Sequence, residues 1–187
     1  MTSERSSEPR PQASRAAERL AAIPWLDGPA RTLADFSSRQ RGPLVDVARG
    51  KPLGHPLHPA LTDVPIGFWT SSMVLDILGG RRFAASSRAL VGAGVVSALP
   101  TVVAGLADVP TLSAAKRRVA VVHAASNAVA TVLYAKSWSL RRRRPLVGVA
   151  VGFAAAATAT IGGYLGGWLA FGDEKPRDRS TARNQVA

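Results

Sequence analysis

Four long apolar blocks decide what this chain folds into. Residues 60–79, 89–109, 119–135 and 146–171 are each nearly free of charge. A helix needs roughly 20 such residues to cross the hydrocarbon core of a bilayer. A buried helix of a soluble bundle would keep a polar face, and these blocks have almost none. The expected fold is therefore all-α, an up-and-down bundle of four transmembrane helices. The hydrophobic fraction of 47% is ordinary for a soluble protein. The assignment rests on how the apolar residues are gathered, since their number alone would miss it.

The blocks also divide the chain. Residues 1–13, rich in Ser, Pro, Glu and Arg, have the composition of a disordered tail. Residues 14–52 carry apolar residues at helical spacing, first in SRAAERLAAIPWL (14–26) and again over 31–49, with a break at Gly42-Pro43. They form an N-terminal amphipathic helical extension, lying on the membrane surface or folded as a short cytosolic hairpin. Residues 53–171 hold the four spans, and 172–187 form a polar C-terminal tail. Pro59 suits the first turn of a helix, where its missing N–H costs nothing. Gly79-Gly80 closes the first span and Pro110 the second, while Pro100 is a kink that lipid tolerates.

The net charge of +12 lies in tails and connections, where membrane proteins keep their anchors. It points to a lipid bilayer partner and away from nucleic acid. Arg141 to Arg144 read as a headgroup anchor. The chain has no cysteine, which excludes disulfides, thiolate haem ligation and any iron–sulfur cluster of its own. With four spans both termini share one side. That side carries nine Lys and Arg before the first span, three between the second and third and four in the tail, against eight opposite. The bias favours an inner-membrane protein with both termini in the cytoplasm.

Up-and-down topology then gathers the polar residues. On the side of the termini, the near side, His55, His58 and Asp63 stand where the first span enters. Asp108 stands where the second returns. His123 and Asn127, four apart on one helical face, lie just inside the third. The fourth span ends there in GGYLGGW, 162–168. All three histidines thus converge in one leaflet. Ionisable groups in a span are expensive and mark function or specific pairing. Asp63 complements a helix N-terminus. Asp108, at a C-terminus, needs a partner such as Lys116, Arg117 or a histidine. Asp76, at the opposite end, is expected to pair with Arg81 or Arg82. Small residues recur at spacings of four and three along the second span (Gly94, Ala98, Thr101, Gly105) and the fourth (Gly148, Gly152, Ala155, Ala159, Gly162, Gly166), the pattern of close helix packing in lipid. Gly163 and Gly167 add a second small face, suited to a homodimer contact or a flat cofactor. Tyr134 and Trp138 on one side and Tyr164, Trp168 and Phe171 on the other have the positions of interfacial belts.

Histidines at matched depth suit a b-type haem held by His123 with His55 or His58, with Asn127 beside it. The alternative set of His55, His58, Asp63, Asp108 and His123 suits a transition metal such as zinc, copper or iron. Either would make an electron-transfer module. A competing expectation is a non-catalytic scaffold or accessory subunit whose polar residues lock its own helices. No hydrolase triad, phosphate-binding loop or broken-helix repeat is present, so an enzyme is not expected.

The stretch GHPLHPALTDVPIG (54–67) resembles a family of small bacterial membrane proteins known as domain of unknown function 2231. The resemblance runs from Leu53 to Phe171. It includes Pro65-Ile66-Gly67, Asp76, Gly105-Leu106-Ala107-Asp108, His123 with Asn127, and Gly-Gly-Tyr-Leu-Gly-Gly at 162–167. It implies four transmembrane helices. It also implies, through relatives with an appended Rieske-type iron–sulfur domain, a Rieske-type redox partner. Trp168 stands where similar proteins often have a histidine.

Overall fold

The computed structural model describes residues 12–172, and the ends of both expected tails, 1–11 and 173–187, lie outside the described residues. Within that range the regular structure is entirely helical. Three short helices, α1 (Gln12–Ala21), α2 (Asp27–Arg39) and α3 (Pro43–Ala48), precede four long ones. These are α4 (His58–Gly79), α5 (Ala84–Asp108), α6 (Ala114–Leu140) and α7 (Pro145–Phe171). Three stretches are long and apolar enough to cross a membrane: His58–Thr111, Ala114–Leu140 and Pro145–Phe171. The first, 54 residues long, contains both α4 and α5. It doubles back at Gly80, whose φ of 48° and ψ of −134° are accessible only to glycine.

Local chemistry sets the helix ends. Pro59 and Pro145 occupy first turns, where no N–H is needed. The hydroxyl of Ser113 caps α6 by accepting the Lys116 amide at 3.2 Å. α4 starts at His58, two residues earlier than the apolar block, because Pro59 is itself inside the first turn.

The long helices pack as two antiparallel hairpins. In the first, His58 meets Thr101, Trp69 meets Val91 and Ser72 meets Ser87. In the second, His123 meets Gly162 and Ser137 meets Gly148. Adding 65 to a position in α4 gives its counterpart in α6, and adding 61 to a position in α5 gives its counterpart in α7. Burial follows the same rule. Pro65 and Ala130, Trp69 and Tyr134, and Ser72 and Ser137 are buried pairwise. So are Ser87 and Gly148, Val91 and Gly152, Gly94 and Ala155, and Thr101 and Gly162. The two hairpins are two copies of one arrangement.

The copies meet through equivalent residues. His58 faces His123, Trp69 stacks on Tyr134 with centroids 4.0 Å apart and planes 10° from parallel, and Asp76 binds Arg141. Self-complementary contact of this kind is the signature of a two-fold relation. Because α4 and α6 run in the same direction, the pseudo-two-fold axis lies along the helices. The three contacts form successive layers on it. The N-terminal segment wraps one end. Ala17 of α1 packs with Val119 and Leu165, and Arg118 holds Asp27 of α2 at 2.6 Å.

Candidate functional site

The near-side layer is a histidine pair. His58 opens α4 and His123 lies ten residues into α6, and their rings stand edge to face, centroids 6.1 Å apart and planes 86° apart. Nδ1 of His58 lies 2.9 Å from the Thr101 carbonyl, and Nδ1 of His123 lies 2.8 Å from the Gly162 carbonyl. A carbonyl only accepts, so each Nδ1 carries the proton and each Nε2 keeps its lone pair. That is the tautomer of a ligand histidine with its second-shell contact in place.

Mid-helix carbonyls already serve the amide four residues on, and here those amides belong to Gly105 and Gly166. A Cβ at 105 would sit 2.8 Å from Cε1 of His58, and one at 166 would sit 2.9 Å from Cε1 of His123. Glycine at these two equivalent places opens the carbonyl to the ring. The recurring small residues of the second and fourth spans therefore hold the histidines as well as the helices.

The copies differ around the rings. Asn127 places its amide 3.2 Å from Nε2 of His123 and donates to the His123 carbonyl at 3.0 Å. Its Oδ1 fills the space at Gly162, 2.5 Å from where a Cβ would stand. Thr62, the counterpart, donates only to the His58 carbonyl, and among the described residues no hydrogen bond engages Nε2 of His58. Asp108, at the end of α5, lies in the neighbourhood of His58 and Arg49. Arg49 donates to the Ala107 carbonyl at 3.0 Å. No hydrogen bond or ion pair reaches the Asp108 carboxylate among the described residues, and the side chains of Lys116 and Arg117 bind backbone carbonyls instead.

His55 is exposed, its Nδ1 against the carbonyl of its own neighbour Pro56. Asp63 is exposed on the outer side of α4. Among the described residues no group of three or more His, Cys, Asp or Glu gathers to hold a metal ion. The structure therefore brings His58, His123, Asn127 and Asp108 together and leaves His55 and Asp63 outside.

The opposite layer is a buried ion pair that the sequence assigned to other partners. Asp76 binds Arg141, not Arg81 or Arg82, through two contacts of 2.8 and 2.7 Å, with the side chains only 6% and 5% exposed. Ser87 donates to Asp76 at 2.6 Å and pairs with Ser72, while Arg141 also donates to Ser137. Gly148 and Gly152 leave room for the arginine stem and guanidinium. Tyr134 is not in an interfacial belt; at 3% exposure it is core. Trp168 packs beside α1 in the Val119 and Leu165 cluster.

A family model described as a predicted membrane protein, DUF2231, matches residues 54–175. Neither a curated protein nor a solved structure matches the chain.

Proposed function

The chain belongs to the DUF2231 family of predicted membrane proteins, and from that premise we propose that it is a four-span electron-transfer module holding one b-type haem between His58 and His123. The observation that carries this reading is the pair of rings 6.1 Å apart, each with Nδ1 bound to a backbone carbonyl. His58 and His123 would hold that haem through their Nε2 atoms, which the Nδ1 contacts to carbonyls leave as the free donors. Two imidazoles alone do not satisfy zinc, which takes three or four protein ligands. They do suit a group that brings its other ligands with it, as haem brings four porphyrin nitrogens. Ligation at His123 would replace the Asn127 contact at Nε2. The bound iron would exchange single electrons with a redox protein, a Rieske-type protein being the partner class that the family resemblance suggests. Both termini would lie on the cytoplasmic side of the inner membrane, by the excess of Lys and Arg there.

The test is composition. Protein purified in detergent from cells supplied with haem precursor should carry one haem and one iron per chain. Folded protein with no haem under those conditions would contradict the proposal.

One observation favours a scaffold instead. Both rings are already hydrogen-bonded and the far layer is a fully engaged ion pair, so the polar residues suffice to lock two hairpins together. In that case His-to-Ala changes lower thermal stability and remove no bound species.

A further inference from the structure

The N-terminal turn of α6 carries three consecutive cations, Lys116, Arg117 and Arg118. The positive end of the helix dipole opposes such charges. Arg118 is paired with the carboxylate of Asp27, and Lys116 donates to the Leu169 carbonyl in the last turn of α7, 3.1 Å away. Arg117 is the one of the three with a buried nitrogen left unmatched. It donates to the Pro110 carbonyl at 2.9 Å, has no acidic partner among the described residues, and its Nε is buried without an acceptor. A charge of this kind in a membrane interface wants an anion.

One to two turns deeper along the same helix lies an apolar groove between α2 and α6. Val121 and Ala124, four and seven residues after Arg117 and so on the same face of α6, form one wall. Leu33 and Phe36 of α2 form the other, and the groove has a volume of about 550 Å³. At 1.5 Å per residue, its floor reaches roughly 10 to 15 Å below the start of α6, the depth at which headgroups give way to acyl chains. We propose that an anionic phospholipid occupies this groove, its phosphate at Arg117 and one acyl chain along Val121 and Ala124. Cation above, apolar trough below and membrane depth together match that molecule. The lipid would fix α2 against α6 and so hold the N-terminal segment, including Arg49, over the histidine layer.

Native mass spectrometry of the full chain in detergent, with phosphatidylglycerol or phosphatidylcholine added, tests this. One retained phosphatidylglycerol is expected, favoured roughly fivefold over phosphatidylcholine. Arg117→Gln should abolish the preference and Arg117→Lys should keep most of it, whereas Arg142→Gln, at the opposite end, should change nothing. Ala124→Phe, which fills the trough, should release both lipids. Equal retention of the two lipids, or an Arg117→Gln variant that binds like the parent, would overturn the proposal.

Discussion

His58 and His123 stand 65 positions apart in the chain and 6.1 Å apart between ring centres, each at the same place in its own helical hairpin. The chain therefore builds one site from two copies of a unit, and the site's chemistry follows from where the copies agree and where they differ. They agree in the carbonyl-bound imidazole and in the glycine that admits it. They differ at Asn127 against Thr62, and at Asp76 against Arg141.

The glycines should be equivalent. Gly105→Ala and Gly166→Ala each place a methyl within 3.0 Å of a histidine ring, and overpacking of this kind costs about 1–3 kcal/mol. Thermal melts in detergent should show similar losses for the two. A large loss at one and none at the other would deny the equivalence of the hairpins.

Asp76→Asn should be the most damaging single change at the far layer. It leaves the Arg141 guanidinium buried without its carboxylate, an effect of about 3–5 kcal/mol. The double variant Asp76→Asn with Arg141→Gln should lose less than the sum of the single losses. Unfolding by detergent titration measures both, and strictly additive losses would show that the pair is not coupled.

Trp69 and Tyr134 stack at 4.0 Å in the middle layer. Replacing each with Leu, singly and together, should give a coupling energy of about 0.5–1.5 kcal/mol. A coupling near zero would mean that the two hairpins do not meet there.

Asp27→Asn should loosen α1 and α2 without disturbing the hairpins. The pair it forms with Arg118 is partly exposed, at 33% and 14%, so the loss should be about 1 kcal/mol or less and should shrink as salt screens it. Limited proteolysis should cut the N-terminal segment faster in the variant, with the midpoint of the main thermal transition little changed.

The apolar stretches were legible because a bilayer dictates both length and composition, and Gly79-Gly80 and Pro110 marked two of the helix ends. The partner expected for Asp108 from its place at a helix C-terminus has no counterpart among the hydrogen bonds and ion pairs of the described residues. Arg141 was not legible. Nothing local separates it from Arg142, Arg143 and Arg144, and only its register with Gly148, Gly152 and Asp76 makes it core. Tyr134 was hidden for the same reason, since an aromatic residue near a helix end has the composition of a belt. The duplication escaped because the copies share few residues: Thr101 matches Gly162 and Val91 matches Gly152. What they share is a backbone carbonyl at a fixed register, and a carbonyl leaves no trace in sequence. The written signal was thin: a histidine and a buried serine repeated at 65 residues, with a glycine repeated at 61.

The most direct measurement is the visible spectrum of the purified, reduced protein beside its His58→Ala and His123→Ala variants. A haem held by one imidazole from each hairpin gives a low-spin, bis-imidazole spectrum in the parent, and both variants lose it to a similar degree while remaining folded. A parent with no Soret band, or a His123→Ala variant with the parent's spectrum, would contradict a haem shared between the two histidines.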